Sequence, residues 1–501
     1  MSGATTLPTA GRARTLCALV AALVLSTAVA ADVPYNTYTF DWRGFPTASP
    51  HAYVPETVLT GATLGVGSLS IPAHLFVSPT GLLYVADAGN NRVLVFTDRF
   101  ELLRIVDAFA WDGRSDSLAS PQGVFVDDRE HLYVADTGNG RIVEFDAFGL
   151  VTNVFGRPDT ELLDEYATYE PLKVVLDKAR RIYVIARGVN QGLIELDSDG
   201  RFRGFMGANR VTPNALDFLW KLIATDEQRA RMVRFVPTEY SNAVIDDRGY
   251  IFVTTASVGT DAIMQSLNPD DLRPIRKLNL TGTDVLRTLD NQWPPVGDIS
   301  IGLGFGAVPS QFVDVALGVA ETYVTLDRVR GKVFIYDSDG ILLAAFGRIG
   351  DRLGTFRGPS SITYLGDRLL VLDSILNQII VFQPTEYGRL LFEANRLYQE
   401  RRYAESAAAW QRIHGLNTNL EVAYAGVGKA QLRGGDYRDA MESFRLAHSP
   451  SYYSRAFQRH RRVVVERYFG AFMAGVLGLI AVWIVLRVRG RHRRRRRSAH
   501  A

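Results

Sequence analysis

Short apolar runs recur along the chain at intervals of about fifty residues, and polar turns separate them. The clearest example is the stretch 132–145, which reads Leu-Tyr-Val-Ala-Asp-Thr-Gly-Asn-Gly-Arg-Ile-Val-Glu-Phe. Its β-prone segments at 133–135 and 142–145 predict two strands, and 137–140 supplies residues that tolerate positive φ in the turn between them. The same phrase stands 49 residues earlier, at 84–96. A self-match at this spacing predicts a repeated unit of strand, turn and strand.

Weaker copies extend the pattern to residue 383. They lie at 171–186, 243–252, 324–336 and 370–382, and the aspartate of the phrase is lost in copies three and four. Six such units cannot each bury an apolar face alone, but stacked radially each one covers its neighbour. We therefore predict an all-β, six-bladed β-propeller over residues 31–383. The segment Val-Leu-Thr at 58–60 predicts a strand that closes the ring.

Two segments follow a helical pattern instead. Leucines recur at helical spacing within about 214–234, which predicts a helical insertion between blades, lying across one propeller face. Residues 390–450 repeat at a spacing of 34, and this predicts a short α-helical segment of two tetratricopeptide-like (TPR-like) pairs. We expect its paired aromatics to form the core between helices: Tyr403 with Tyr437, and Trp410 with Phe444.

The two ends of the chain predict a membrane topology. Residues 1–30 combine a charged start, an apolar core and a small-x-small site, as in a secretory signal peptide. Residues 451–467 predict a basic juxtamembrane helix, and 468–486 form an uncharged stretch long enough to span a bilayer. The arginine-rich segment 487–501 then predicts a cytoplasmic tail. Together these features predict a single-pass type I protein of the cell membrane.

Charge and cysteine content narrow the function. The net charge of the 501 residues is +3, but eight arginines lie in 487–497 and two in the leader. Without those ten charges, residues 31–486 carry −7, so no basic face for nucleic acid is expected. The only cysteine is Cys17 in the leader, and the mature chain therefore has no disulfide, thiolate nucleophile or cysteine metal site.

The phrase Tyr-Val-Ala-Asp-x-Gly-Asn-x-Arg resembles the NHL repeat. The whole chain resembles a bacterial family of secreted NHL-repeat β-propeller proteins with a tetratricopeptide segment and a C-terminal membrane anchor. Members of that family are often encoded near carbohydrate ABC-transporter components, which implies an association with carbohydrate transport. The phrases that carry the resemblance begin at Leu172, Gly207, Pro237, Gly350 and Pro384.

The favoured interpretation is non-enzymatic: a membrane-anchored, extracytoplasmic binding or scaffold protein whose propeller and stem engage a protein or glycan partner. Trp220, Lys221 and Arg234 on the insertion could line a ligand or partner surface, or Trp220 could simply seat the helix on the propeller. The residues of the repeat signature are expected to satisfy turns and blade contacts. They are Asp87, Asn90, Arg92, Asp136, Asn139, Arg141, Asp327 and Asp373.

The alternative is a metal-dependent, lactonase-like hydrolase, because six-bladed lactonases hold one divalent ion among carboxylates and amides. We predict no cofactor, although a divalent cation such as calcium would find oxygen donors. The sequence leaves the ligand, the binding face and the oligomeric state open. The donors are Glu56, Asp107, Asn153, Glu239, Asn242 and Asp314, whereas His51, His74 and His131 are expected to be ordinary core or surface histidines.

Overall fold

The computed structural model describes residues 33–163, 168–207, 239–255, 273–287, 295–298, 310–418 and 420–497. They form a six-bladed β-propeller, as predicted, followed by helices. The predicted signal peptide and the predicted insertion at 214–234, with Trp220, Lys221 and Arg234, lie outside the described residues.

Three strands precede the first blade: β1 (Tyr38–Phe40), β2 (Pro46–Ala48) and β3 (Tyr53–Thr60). Blade one contains β4 (His74–Val77), β5 (Leu83–Asp87), β6 (Arg92–Phe96) and β7 (Leu102–Val106). A separate hairpin follows, with β8 (Ala108–Trp111) and β9 (Arg114–Ser117). Blade two contains β10 (Pro121–Val126), β11 (Leu132–Asp136), β12 (Arg141–Phe145) and β13 (Val151–Phe155).

Blade three contains β14 (Pro171–Leu176), β15 (Ile182–Ala186), β16 (Leu193–Leu196) and β17 (Phe202–Met206). The described strands of blade four are β18 (Tyr240–Ile245), β19 (Ile251–Thr255) and β20 (Ile275–Leu278). Blade five contains β21 (Phe312–Leu317), β22 (Tyr323–Asp327), β23 (Lys332–Tyr336) and β24 (Leu342–Phe346). Blade six contains β25 (Pro359–Leu365), β26 (Arg368–Asp373) and β27 (Gln378–Pro384).

The ring is closed by the N-terminal strands. Strand β3 pairs antiparallel with β27 and becomes the outermost strand of blade six, with Val58 opposite Ile380. Strand β1 pairs with β24 at the outer edge of blade five, with Tyr38 opposite Ala345. The predicted strand at 58–60 is therefore confirmed as part of an eight-residue strand, and it joins the start of the propeller to its end.

The second strand of each blade is covered on both faces by neighbouring blades. All five residues of β5, β11, β15, β19 and β22 are buried. This explains why these segments read as continuous apolar runs and not as the alternation typical of a half-exposed strand.

Five helices follow the propeller: α1 (Glu386–Gln399), α2 (Tyr403–Leu416), α3 (Glu421–Gly434), α4 (Tyr437–Leu446) and α5 (Pro450–Arg497). Each helix packs on the next along the chain. Trp410 and Phe444 are buried between helices, whereas Tyr403 and Tyr437 are only half-buried. Glycines of α3 make room for the two large rings, since a Cβ on Gly426 would lie 2.3 Å from Trp410.

A buried ionic cluster attaches the helices to blade five. Lys429 of α3 lies 3.0 Å from Asp337 and 2.6 Å from Asp339, both in the turn between β23 and β24. Tyr452 of α5 donates a hydrogen bond to Asp339 at 2.9 Å. Burial alone would lower the pKa of Lys429, but the two carboxylates hold that pKa well above its usual value. The cation is therefore retained, and one turn of the propeller anchors two helices.

Helix α5 leaves the packed region after its first turns. Tyr452 and Ala456 are buried, whereas the apolar side chains from Tyr468 to Leu486 are predominantly exposed. Within the described residues, the portion Pro450–Arg489 is the one helix long and apolar enough to cross a membrane, with a mean hydropathy of 2.4 over its most apolar window. The segments predicted separately at 451–467 and 468–486 form one continuous helix.

The contact between α1 and the N-terminal segment can be tested at Gly388. A Cβ at this position would lie 2.1 Å from the carbonyl oxygen of Ala52, so we expect Gly388→Ala to lower the free energy of unfolding by about 1–3 kcal/mol. Gly415 of α2 has no atom within 4 Å of its Cβ position, and Gly415→Ala should be neutral or stabilising by up to about 1 kcal/mol. Thermal denaturation measures both. Equal melting temperatures for the two variants would contradict this packing.

Candidate functional site

The first strands of the six blades surround a central channel. Its cavity measures about 840 Å³ and extends to the turns that follow these strands, where Gln399 at the end of α1 also lines it. Cavities of this size hold small molecules in many proteins. Because side chains alternate along a strand, residues two apart on each first strand line the channel at successive levels.

The strand register identifies one equivalent residue per blade at the inner end of the channel, which we call the channel floor. In every blade this residue pairs with the second strand one position before the site of the signature aspartate. In blade two, for example, Gly123 pairs with Ala135, directly before Asp136. The six floor residues are His74, Gly123, Lys173, Asn242, Asp314 and Ser361.

Both carboxylate oxygens of Asp314 accept hydrogen bonds from neighbouring residues of the protein. The amide nitrogen of Asn242 donates a hydrogen bond to Oδ1, and the hydroxyl of Ser361 donates to Oδ2 at 2.5 Å. The backbone N–H groups of Val315 and Ile362 donate to the same carboxylate, each at 2.7 Å. Four donors thus hold a carboxylate that is 1% exposed.

The other oxygen acceptors of the floor are also occupied. Asn242 Oδ1 accepts from the N–H of Ala243 at 2.7 Å, and Ser361 Oγ accepts from the N–H of Leu75 at 3.0 Å. The floor therefore offers no free side-chain oxygen to a ligand.

Two donors of the floor remain. Lys173 is 9% exposed and forms no hydrogen bond or ion pair within the described part of the chain. The Nδ1 atom of His74 accepts from the N–H of Val124 at 3.2 Å, so a neutral imidazole carries its proton on Nε2. Lys173 Nζ and His74 Nε2 are thus hydrogen-bond donors beside a channel whose own floor acceptors are used.

Burial dominates the protonation of these groups. It lowers the pKa of Lys173 to about 8, although Asp314 opposes the shift. It raises the pKa of Asp314 to about 6, opposed by Lys173 and by the hydrogen bonds to that carboxylate. Burial and the nearby Lys173 hold the pKa of His74 well below its usual value, which keeps the ring neutral.

Above the floor, the channel wall is mostly apolar. The next level contains Phe76 and Phe125, whose ring centroids are 5.3 Å apart, and the level as a whole comprises Phe76, Phe125, Val175, Val244, Ala316 and Thr363. At the mouth lie Asp127, Asp177 and Asp246. One carboxylate oxygen of each accepts two backbone N–H groups of the following turn, so these aspartates also build hairpins.

In blades one and two, the residues of the repeat signature form hydrogen bonds within their own blade. Asp87 accepts from Asn90, from Arg92 Nε at 2.8 Å and from the N–H of Ser70, which leads into β4. Asp136 repeats this arrangement with Asn139, Arg141 and Ala119. The residue with positive φ follows the asparagine and is Asn91 or Gly140. These side chains connect the second strand to the chain entering the first strand.

Blades five and six keep the aspartate and the backbone contact. Asp327 accepts from the N–H of Gln311, and Asp373 accepts from the N–H groups of Arg357 and Gly358. At the equivalent position blade three has Ala186 and blade four has Thr255. The strand register therefore confirms that blades three and four lack the signature aspartate. The signature aspartates do not form a complete ring around the channel.

The proposed metal donors do not converge. Only Asn242 and Asp314 meet, and their oxygens already accept hydrogen bonds. Asn153 donates to Glu144 in blade two, and Glu239 accepts from the N–H of Gly188. Within the described ranges, no group of three or more His, Asp or Glu side chains could hold a metal ion. The residues present at the channel floor do not fit a divalent cation, since Lys173 shares that floor.

His51 contacts Thr37, and His131 contacts Glu144, so neither faces the channel floor. Sequence reasoning missed Lys173 as a site residue. A signal did exist: Lys173 and His74 each lie two residues after one of the recurring prolines, Pro171 and Pro72. That shared offset puts both on the same level of the channel.

The burial of Lys173 leads to a prediction about how stability depends on pH. Its pKa is lower in the folded protein than its usual value of 10.5, so the native state should lose stability as the pH falls from about 10.5 through about 8. We expect the Lys173→Met variant to show no such loss and to be more stable than the wild type at pH 7 by about 3 kcal/mol. Melting temperatures between pH 7 and 10 measure the effect. Lys178→Met, at an exposed lysine of the same mouth, should follow the wild type; a parallel response of both variants would contradict the prediction.

Comparison with known proteins identifies one repeat in the chain. A family model described as NHL repeat matches residues 118–145, which contain β10, β11 and β12. No curated protein matches the chain. Solved structures to which the chain is similar include a virginiamycin B lyase from Staphylococcus aureus, with 8% identity, a TM-score of 0.37 and coverage of 63% of this chain and 95% of that one.

Two further structures match at a similar level. The PQQ-bound aldose sugar dehydrogenase from Streptomyces coelicolor is 12% identical, with a TM-score of 0.37 and coverage of 68% of this chain and 99% of that one. The extracellular domain of a putative hybrid two component system from B. thetaiotaomicron is also 12% identical, with a TM-score of 0.37 and coverage of 68% and 43%. The chain thus carries an NHL repeat within a six-bladed β-propeller.

Proposed function

We propose that this protein is a membrane-anchored, extracytoplasmic binding protein of type I topology. A signal peptide at 1–30 would direct the propeller out of the cytoplasm, α1 to α4 would act as a TPR-like stem, and α5 would span the membrane. The arginine tail would stay inside. The long apolar helix among the described residues and the 34-residue spacing of the stem support this arrangement.

The observation that carries a binding role is a basic cleft between the propeller and the helices. It measures about 840 Å³ and is lined by blades four and five on one side and by α1, α3, α4 and α5 on the other. Among the described residues, four of its arginines form no ion pair with a carboxylate. They are Arg287, Arg433, Arg455 and Arg459.

With α5 in a membrane, the cleft would be within reach of a neighbour in the same membrane. Arg459 precedes Tyr468, the first residue of the uncharged stretch, by nine positions. At 1.5 Å per helical residue, Arg459 would then be about 13 Å above the hydrocarbon boundary. A protein partner with an acidic surface beside the membrane would complement these arginines. The resemblance to proteins encoded near carbohydrate transporters supports a transport component as that partner.

The topology can be tested by cysteine labelling. With Cys17 replaced by serine, Phe148→Cys on the propeller and Ser498→Cys in the tail provide two single reporters, and Phe148 is 88% exposed. In intact cells a membrane-impermeant maleimide should label only the propeller reporter, and both reporters should react after permeabilisation. Preferential labelling of the tail in intact cells would reverse the proposed orientation.

The partner surface can be tested by charge reversal. We expect membranes solubilised in mild detergent to yield a complex with the wild type and to lose it with Arg455→Glu/Arg459→Glu, because a complementary acidic surface would then be repelled. Arg438→Glu is the matched control, since Arg438 is an exposed arginine of α4 that does not line the cleft. Consistent recovery of the wild type alone, or equal loss with the control, would contradict a partner at this surface.

A further inference from the structure

The channel floor carries a second inference, independent of the cleft. Among the described residues, its oxygen acceptors are all engaged, and its two free groups, on Lys173 and His74, are donors. A largely buried ammonium group without a protein acceptor is costly unless a molecule in the channel accepts its hydrogen bonds. Six symmetric positions hold six different residues, so no repeated structural need accounts for the lysine.

We propose that the propeller channel binds a small organic carboxylate, with its carboxylate oxygens on Lys173 Nζ and His74 Nε2 and its apolar body against the paired rings of Phe76 and Phe125.

A carboxylate fits this floor because it is acceptor-only. It can receive both free donors at once, as the side chain of Asp314 receives four donors on the same floor. A hydrogen-bond donor such as an amine would meet the Lys173 ammonium and find no free oxygen. The floor therefore selects for acceptors and against cations.

The apolar level selects the rest of the ligand. Phe76 and Phe125 are inclined at 55° to each other, and Val175 and Val244 line the same level. Gly123 adds no side chain to the floor. A larger residue would not fit there, since its Cβ would lie 2.5 Å from the carbonyl oxygen of Leu172. A flat or short aliphatic body attached to the carboxylate would displace water along this wall, and removing apolar surface from water favours binding.

The carboxylates of the channel mouth are paired with basic side chains. Asp127 lies 3.7 Å from Arg180, Asp177 lies 2.6 Å from Arg181, and Asp246 lies 3.5 Å from Arg248. The ligand class therefore follows from the floor and the wall: two donors accommodate one carboxylate, and the level above them is apolar. The expected class is a monocarboxylate with an apolar body.

The test uses the full chain in mild detergent and benzoate as the probe. At pH 7 we expect benzoate to raise the melting temperature and to bind saturably at millimolar concentration in calorimetry. Benzamide has the same shape without the charge and should bind at least tenfold more weakly. Lys173→Met should weaken benzoate binding by about ten- to hundredfold, the range expected when a charge-assisted hydrogen bond is lost.

Lys178→Met is the control, because it removes one positive charge from the mouth of the same channel but not from the floor. Its affinity for benzoate should stay within about threefold of the wild type. Lys173→Gln serves as a second variant if Lys173→Met does not fold, and His74→Phe should weaken binding by a smaller factor than either.

The affinity should also depend on pH. Lys173 faces His74 of β4 and Asp314 of β21, with Asn242 and Ser361 uncharged beside them and the three mouth aspartates further out. Benzoate stays ionised between pH 7 and 9.5, so its affinity should fall as the pH rises through about 8, where Lys173 loses its proton. Lys173→Met should show no such fall.

Several results would overturn the proposal. They are equal binding of benzoate and benzamide, unchanged affinity in both Lys173 variants, or no saturable binding of benzoate, phenylacetate or hexanoate at 10 mM. Binding of a neutral sugar that is equal in wild type and Lys173→Met would also overturn it, in favour of a glycan ligand. None of these outcomes depends on the topology or on the acidic partner, which the labelling and charge-reversal experiments test separately.

Discussion

Pairing of β3 with β27 is the interaction on which the rest of this structure depends. Each blade covers the faces of its neighbours, so the ring buries its apolar strands only when the last blade meets the first. The closing segment also attaches the helices. Thr385, the N-cap of α1, donates hydrogen bonds to the carbonyl oxygens of His51 and Ala52, which directly precede the first residue of β3. Closure of the propeller and the start of α1 are therefore set by the same few residues.

Closure also creates the channel floor. Lys173 and Asp314 belong to blades three and five, and only the circular arrangement brings them to one level around an axis. Among the described residues, the floor combines one carboxylate that accepts from four donors with one ammonium group that has no acceptor. This imbalance distinguishes the channel from the turns of blades one and two, where both carboxylate oxygens of Asp87 and of Asp136 have donors. It is the reason to look for a ligand at the floor and not at the more distinctive NHL phrase.

Repetition and its absence have different physical meanings here. The signature aspartates recur because each one holds the chain that enters its own blade, and blades three and four replace this contact with Ala186 and Thr255. The floor positions, by contrast, differ in all six blades although their register is the same. A shared backbone requirement gives the same residue repeatedly. Six different residues at one level give an asymmetric site on a nearly symmetric scaffold.

The sequence alone determined the six blades and the apolar helix, because strand hydrophobicity, turn residues and the length of an uncharged run are local properties. It also indicated that Asp87 and Asp136 belong to turns. It did not identify Lys173, and it grouped Asn242 and Asp314 with distant oxygen donors as equal metal candidates. Tertiary structure decided those points, since the partners of Asp314 come from three different blades. Contacts between residues far apart in the chain depend on ring closure and strand register, which no local pattern encodes.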